Sequence, residues 1–426
     1  MDSVISWKRL CLFLIAILCF QSTFYFLYPA SKRLSLTSTA ALCSQVKSWT
    51  TEDTEGTEKS NDGALSAAEC TADYPDLYHE IDRAIKFWKD HKHTITAEDI
   101  DISWRNDGAL RILIHHNELR VLETKGTFDN QGYRMRTLSV LSMLQEALWS
   151  ASAGGERLPT IEAAIVVDDM SLLPGEPDDT RSIWTFTSNV RDDSHKRHWL
   201  LPNFSMYSAR GTGSFRDMTR RAMEFDAPFG EKLPQVIWRG VRWTNEEIRG
   251  SLLDKTKGKD WADCKVVDWD TRENMMSQDE MCRYAFTVHT EGRSYSGRLP
   301  FLLNCNSLPL IHDLDWTTHF YHLLVSSGKS QNYVPVKRNF EDLEEKVSRY
   351  LDHPDEAERI INNSIATFRE KYTSPAATNC YLRRLIRGWS EMSFTPHVLR
   401  NESSVRRRGV SFEEFIHIQG DYRDDG

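Results

Sequence analysis

Three places in the chain carry residue types that can do chemistry. The apolar run Ile165-Val166-Val167 leads into Asp168-Asp169-Met170, so a buried strand ends in two carboxylates. A carboxylate there can take a proton from a substrate hydroxyl; helix capping or a turn accounts for the same acids with no chemistry. Val236-Ile237-Trp238 ends in Arg239-Gly240-Val241. Glycine allows close backbone approach and arginine suits a diphosphate, while a surface arginine in a turn has the same appearance. In the third, Val288-His289-Thr290 leads through Glu291-Gly292-Arg293-Ser294-Tyr295-Ser296-Gly297-Arg298 into apolar Leu299–Leu303. Backbone N–H groups at a helix start, joined by hydroxyls and arginine, make an anion site. Phosphate binding is favoured there over a plain polar loop.

These ends need strands and helices to position them. Leu110–His115 and Leu119–Glu123 read as strands around a turn at His116-Asn117, and Tyr133–Ser150 as a helix with Leu138, Leu141, Leu144 and Leu148 at helical spacing. Ile161–Val167, Gln235–Trp238, Lys265–Trp269, Tyr284–Thr290, Leu308–His312 and Tyr333–Val336 read as strands. Asn245–Thr256, Ser296–Asn304, Phe340–Leu351 and Asp355–Tyr372 read as helices. Alternation in both halves predicts α/β layers with parallel sheets, whose ligands lie beyond the carboxyl ends of the strands.

With 53 Lys+Arg against 62 Asp+Glu the net charge is −9 and the pI is near 5.9, which gives no electrostatic case for nucleic acid. Arg406-Arg407-Arg408 reads as a solvated tail. Near the N-terminus, Lys8-Arg9 precedes an uncharged run from Leu10 to Tyr28. About 19 helical residues span roughly 28 Å, close to the hydrocarbon thickness of a bilayer. This predicts a signal anchor at 10–28 after a short cytoplasmic tail, 1–9, with the remainder lumenal. A Ser/Thr/Glu/Gly-rich stretch over 29–75 reads as a flexible stem. Asn203, Asn362 and Asn401 begin N-glycosylation triplets. Outside the apolar run stand Cys43, Cys70, Cys264, Cys282, Cys305 and Cys380, with no C-x-x-C spacing. Six cysteines allow 15 complete pairings and the sequence selects none.

The segments Trp238–Val241, His289–Arg298, Asp315-Trp316 with His319-Phe320-Tyr321, and Asn332–Val347, taken in order, resemble glycosyltransferase family 90, the family of capsule-associated fungal xylosyltransferases and protein O-glucosyltransferases. The resemblance runs over about Asp76–Phe394 and is closest to the fungal members. It implies a GT-B-like α/β fold: two Rossmann-like domains with a ligand cleft, here 76–232 for the acceptor and base and 233–394 for the UDP-sugar, then a C-terminal tail, 395–426. It also implies inverting, metal-independent transfer of a sugar, xylose or glucose, from a UDP-sugar donor to a hydroxyl of a glycan or glycoprotein. Placed by the family pattern, Arg239 and Arg298 hold the diphosphate. Gly240, Gly292, Ser294 and Ser296 line that pocket, and Glu291 accepts from ribose hydroxyls. The general base falls on Asp169, with adjacent Asp168 one register away. The matching location is a Golgi membrane, single-pass type II.

Two other readings remain open at this stage. A membrane-anchored binding protein can keep the fold without activity. A metal-dependent sugar transferase would use an Asp-x-Asp triplet, and Asp99–Asp101, Asp268–Asp270 and Asp313–Asp315 have that form.

Overall fold

A computed structural model describes residues 64–128, 130–170, 179–209, 211–401 and 403–424. The expected tail, anchor and most of the stem, with Cys43, fall outside these residues. Among the described residues no helix is long and apolar enough to cross a membrane.

The first sheet has six strands in the order β15-β2-β1-β3-β4-β6. Its members are β1 (Ala109–His115), β2 (Glu118–Lys125), β3 (Ile161–Val166), β4 (Trp184–Thr185), β6 (Trp199–Leu200) and β15 (Val410–Ser411). Only β3-β4-β6 runs parallel; β1 is antiparallel to both β2 and β3. The antiparallel β1–β2 pair is the one expected around His116-Asn117, and the cause is local. His116 and Asn117 both have positive φ, 54° and 59°, the backbone of a two-residue hairpin that leaves no room for a crossover. The crossover comes next, as the helix Gln131–Ala153, started by the Asn130 side chain accepting from Gly132 N and Tyr133 N.

The second sheet is parallel throughout and has the order β10-β9-β11-β12-β14. Its strands are β9 (Leu233–Gly240), β10 (Ala262–Val266), β11 (Tyr284–His289), β12 (Leu308–His312) and β14 (Val334–Val336). Both β11 and β12 are buried along their whole length, as strands covered on both faces must be. Chain order reverses between β9 and β11. Such a switch point, at the carboxyl ends, is where open α/β sheets take ligands. The remaining short strands join loops. β5 (Ser188–Asn189) pairs with β13 (Trp316–Thr317), so one half of the fold bonds to the other; β7 (Ser208–Ala209) pairs with β8 (Gly213–Ser214).

Strand β10 lies at Ala262–Val266 rather than at the expected Lys265–Trp269, and the helix expected over Ser296–Asn304 is only the short turn Leu299–Leu302. Three further segments depart from expectation. Helix Pro375–Met392 was not anticipated, although Ser374 caps it and Pro375 occupies its first turn. It returns to the first sheet: Trp389 stands edge-on to Trp184 and Trp199 at 5.6 and 5.3 Å, and Tyr381 donates its hydroxyl to the Leu200 carbonyl. The helix thus lies within the expected second domain, 233–394, but packs on the sheet of the first. The end of the expected stem is folded too, as helix Ala67–Asp73 with a Ser66/Glu69 capping box. Finally, 403–424 is not a loose tail. It supplies β15, Arg407 pairs with Glu118, and Arg408 pairs with buried Glu162 at 2.7 Å.

Four of the cysteines pair. Cys70 is joined to Cys380 across 310 residues of sequence, and Cys282 to Cys305 across 23. Cys264 keeps its thiol, and burial pushes it up to about 12. The first bridge ties the first described helix to the helix at 375–392, closing a very long loop of the unfolded chain. Replacing both Cys70 and Cys380 by Ala is expected to cost about 2–5 kcal/mol, read as a lowered urea midpoint with a steeper slope, because the unfolded chain without the cross-link exposes more surface.

Candidate active site

The two acids at the end of β3 part company. Asp168 accepts from Arg105 at 3.0 Å and has Tyr133 beside it. Asp169, with a side chain 38% exposed, pairs with Arg136 at 3.1 Å. Arg136 comes from the crossover helix, also donates to the Val167 carbonyl, and lies over the Phe204 ring. It is thus fixed from three sides before it meets Asp169. The other electrostatic neighbours of Asp169 are Arg249 and Tyr295, from the opposite half. Ser294 Oγ donates to the Asp169 carbonyl at 2.6 Å, which brings the third sequence element against the first.

Arg239 does not join that group. Successive strand residues face opposite ways, so Trp238 and Gly240 share one face of β9 and Arg239 takes the other. There its guanidinium pairs with Asp263 of β10 at 2.7 Å, and Tyr284 donates to the same carboxylate. The cation that stands in the site is Arg249. It projects from a π-helical turn, Glu246–Gly250, capped by Asn245, a distortion frequent at functional sites. Arg249 donates from Nε to the Glu291 carbonyl and from Nη1 to the Val241 carbonyl, while Asn245 Nδ2 donates to the Gly292 carbonyl. The loops after β9 and β11 are therefore laced together across the switch point.

Arg298 completes the arrangement. Its Nε and Nη1 are shut from solvent with no hydrogen-bond partner, and its guanidinium lies over Trp238, as does that of Arg249. Trp238 is held by a hydrogen bond from Nε1 to Thr290 Oγ1. Burial, and the like charge of Arg249, push Arg298 down to about 9; burial pushes Arg249 down to about 10. Both are charged at neutral pH. Neither has a carboxylate within ion-pair distance among the described residues. Small residues are needed around them: a Cβ on Gly240 would lie 2.7 Å from the Trp238 ring, and one on Gly292 would lie 3.2 Å from Arg249 Nη2.

Other expected residues have different employment. Glu291 is buried, and its Oε1 accepts from Asp315 N and Trp316 N while its Oε2 pairs with Arg338. Burial raises its carboxyl against those bonds. Its place is to hold the loop after β12. Ser296 lies half-buried on the same loop as Arg298. The Asp-x-Asp acids are engaged locally: Asp99 with Thr96 and His93, Asp268 with the Asp270 and Thr271 amides, Asp315 with Arg191 and Arg338. Arg249 and Arg136 escaped the sequence reading. Neither lies in a motif, and the only available signal was that each follows an expected strand end or starts an expected helix.

A family model described as Glycosyl transferase family 90 matches residues 68–414. Protein O-glucosyltransferase 3 of Rattus norvegicus is 28% identical over 130 residues, 30% of this chain and 25% of its own length. Protein O-glucosyltransferase 2 of Danio rerio is 27% identical over 119 residues, 28% of this chain and 23% of its own. O-glucosyltransferase LpsA of Dichelobacter nodosus is 26% identical over 142 residues, 32% of this chain and 43% of its own. The chain thus spans about a quarter of the length of the two animal relatives. The family match takes in both sheets, Asp169, and both unpaired arginines; the chain belongs to glycosyl transferase family 90.

Proposed function

We propose that this protein is an inverting glycosyltransferase that moves a sugar from a UDP-sugar to a hydroxyl of a glycan or glycoprotein. One observation carries the reading: buried Arg249 and part-buried Arg298, whose Nε and Nη1 are shut from solvent, meet without carboxylate ion pairs at the switch point of a parallel sheet, and Arg249 has Asp169 as its electrostatic neighbour. Buried charge without compensation is costly, and a diphosphate supplies the missing anion. In the reaction Asp169 takes the proton of the acceptor hydroxyl, whose oxygen attacks the anomeric carbon. The bond from that carbon to the diphosphate breaks on the opposite side, and UDP departs. Arg249 and Arg298 stabilise the charge that develops on it, by fixed position in a site shielded from water. No metal is required for that step. The Ser294–Asp169 bond, a bond from Ser205 Oγ to the Gly297 carbonyl, and the β5–β13 pair join the two halves, which supports a GT-B-like arrangement as part of the proposal.

Resemblance to the fungal members favours xylose, and the names of the relatives favour glucose. The test is turnover of a panel of UDP-sugars by the purified protein in excess EDTA. Transfer, or slow hydrolysis, of one of them at the rate seen without EDTA is expected. Loss of activity with chelator would establish the Asp-x-Asp alternative, and UDP-sugar binding without turnover would establish the binding-protein alternative. Single-pass type II placement in the Golgi membrane, through 10–28, is part of the same proposal. Its support is the pair of disulfides, which belong to an oxidising compartment. Release into the supernatant by carbonate would overturn it. Of the three glycosylation triplets, Asn203 is buried and accepts from the Ser205 amide, so its side chain is closed to a glycan; Asn362 and Asn401 are exposed.

A further inference from the structure

Beside the ends of β3 and β11, Tyr295 and His289 are buried polar side chains with nothing to bond to in the folded chain. Tyr295 is 5% exposed and its hydroxyl has no partner; His289 is 1% exposed and neither ring nitrogen has one. Buried polar groups are so regularly satisfied that each of these calls for an absent partner. They are linked through a common set of neighbours. Tyr295 has Asp169, Arg136 and Tyr321 as its electrostatic neighbours. Tyr321, whose own hydroxyl is likewise without a partner, stands edge-on to His289 at 6.4 Å. His289 neighbours Arg298 and Arg249, and Arg249 neighbours Asp169, which closes the ring.

One side of this ring is the base and the other is the pair of arginines. In a UDP-sugar the transferred ring must lie between them. Its anomeric carbon is joined to the diphosphate and must be reached by the oxygen that Asp169 deprotonates. We propose that Tyr295 and His289 form the subsite for the transferred sugar, and that they select an uncharged sugar by hydrogen bonds to its ring hydroxyls. The proposal rests on the UDP-sugar reading and adds to it the residues that choose the sugar.

The protonation states suit that task. Burial pushes the Tyr295 phenol well above its ordinary value and the His289 imidazole well below its own. Near neutral pH the phenol is therefore a donor, and the imidazole is neutral, with one N–H donor and one acceptor. Sugar hydroxyls both donate and accept, so they satisfy all three positions. A uronic acid would instead bring a carboxylate beside Asp169, where Arg136 is already engaged and the remaining arginines face the diphosphate. Tyr295 stands inside the run whose pattern suggested phosphate binding. Its side chain nevertheless leaves the anion site and packs by Phe186, at 6.3 Å, on the side of the base.

Tyr295→Phe tests this, because it keeps the ring and removes only the hydroxyl. On the full-length protein, calorimetry with UDP is compared with turnover of UDP-xylose, UDP-glucose and UDP-glucuronate. The variant is expected to bind UDP within about twofold of wild type and to keep its thermal midpoint. Its kcat/KM for the preferred donor should fall about tenfold, the scale of a lost hydrogen bond, and the wild type should not use UDP-glucuronate. His289→Asn, which retains a donor and an acceptor, should keep more turnover than His289→Leu at equal UDP affinity. Undiminished turnover in Tyr295→Phe, equal losses for UDP and for the UDP-sugar, or preference for UDP-glucuronate would each overturn the assignment. Wild-type protein that binds no UDP would remove the donor-site reading itself. Wild-type UDP binding with undiminished turnover in the variants removes only the sugar subsite.

Discussion

Asp169→Asn is expected to lower sugar transfer by roughly 10²–10⁴-fold, the usual worth of a general base, while leaving UDP binding intact. The substitution keeps the size of the side chain and can still face Arg136, but it takes no proton at neutral pH. UDP affinity should hold or rise slightly, because a negative charge is withdrawn from the neighbourhood of Arg249. Asp168→Asn should cost a few-fold at most, because that carboxylate is turned toward Arg105 and acts only by holding the strand end in place. Single-turnover kinetics beside UDP calorimetry separates the two steps. If Asp168→Asn is the inactive variant, the base is the other acid; if both transfer at near wild-type rates, the end of β3 is not the base at all.

Removal of either cleft arginine should be read in the opposite way, as loss of donor binding. Arg298→Ala is expected to weaken UDP by about 1.5–3 kcal/mol, on the order of ten- to a hundredfold in Kd. Arg249→Ala should weaken it comparably and also loosen the site, because the same guanidinium holds the Glu291 and Val241 carbonyls. Arg239→Ala should behave differently. It leaves the part-buried Asp263 with Tyr284 and Lys265 but without its arginine, so the main loss falls on stability. Calorimetry and urea unfolding on the three variants decide the matter. An Arg239→Ala protein of wild-type stability with the UDP affinity of Arg298→Ala would return Arg239 to the diphosphate and displace Arg249. UDP should also raise the thermal midpoint of the wild type, in proportion to the logarithm of its concentration above Kd, and raise that of Arg298→Ala much less.

The sequence by itself determined a good part of this. Alternating strands and helices defined most of the second sheet: β12 has the bounds its apolar run implied, β9, β11 and β14 match within two residues, and the edge strand β10 is displaced by three. The hairpin at His116-Asn117 and the crossover helix were equally legible, because short-range pattern and turn chemistry act there alone. The ends of β3, β9 and β11 were marked as the functional places, and all three come together.

Tertiary structure decided what each side chain at those ends does. Pairing with β10 placed Asp263 beside Arg239, which no pattern along one strand can reveal, and a π-helical turn aimed Arg249 into the space that Arg239 does not reach. The adjacent acids were indistinguishable in sequence because only their partners differ: Arg105, from before β1, and Arg136, from the crossover helix. Helix Pro375–Met392 was missed for a related reason. Its Trp389, Tyr381 and Cys380 are buried by strands and a helix far back in the chain, so its apolar face has meaning only once those elements are in place. Local propensity and periodicity specify elements; ion pairs and the facing of side chains depend on residues brought together across hundreds of positions, and those belong to the packed chain.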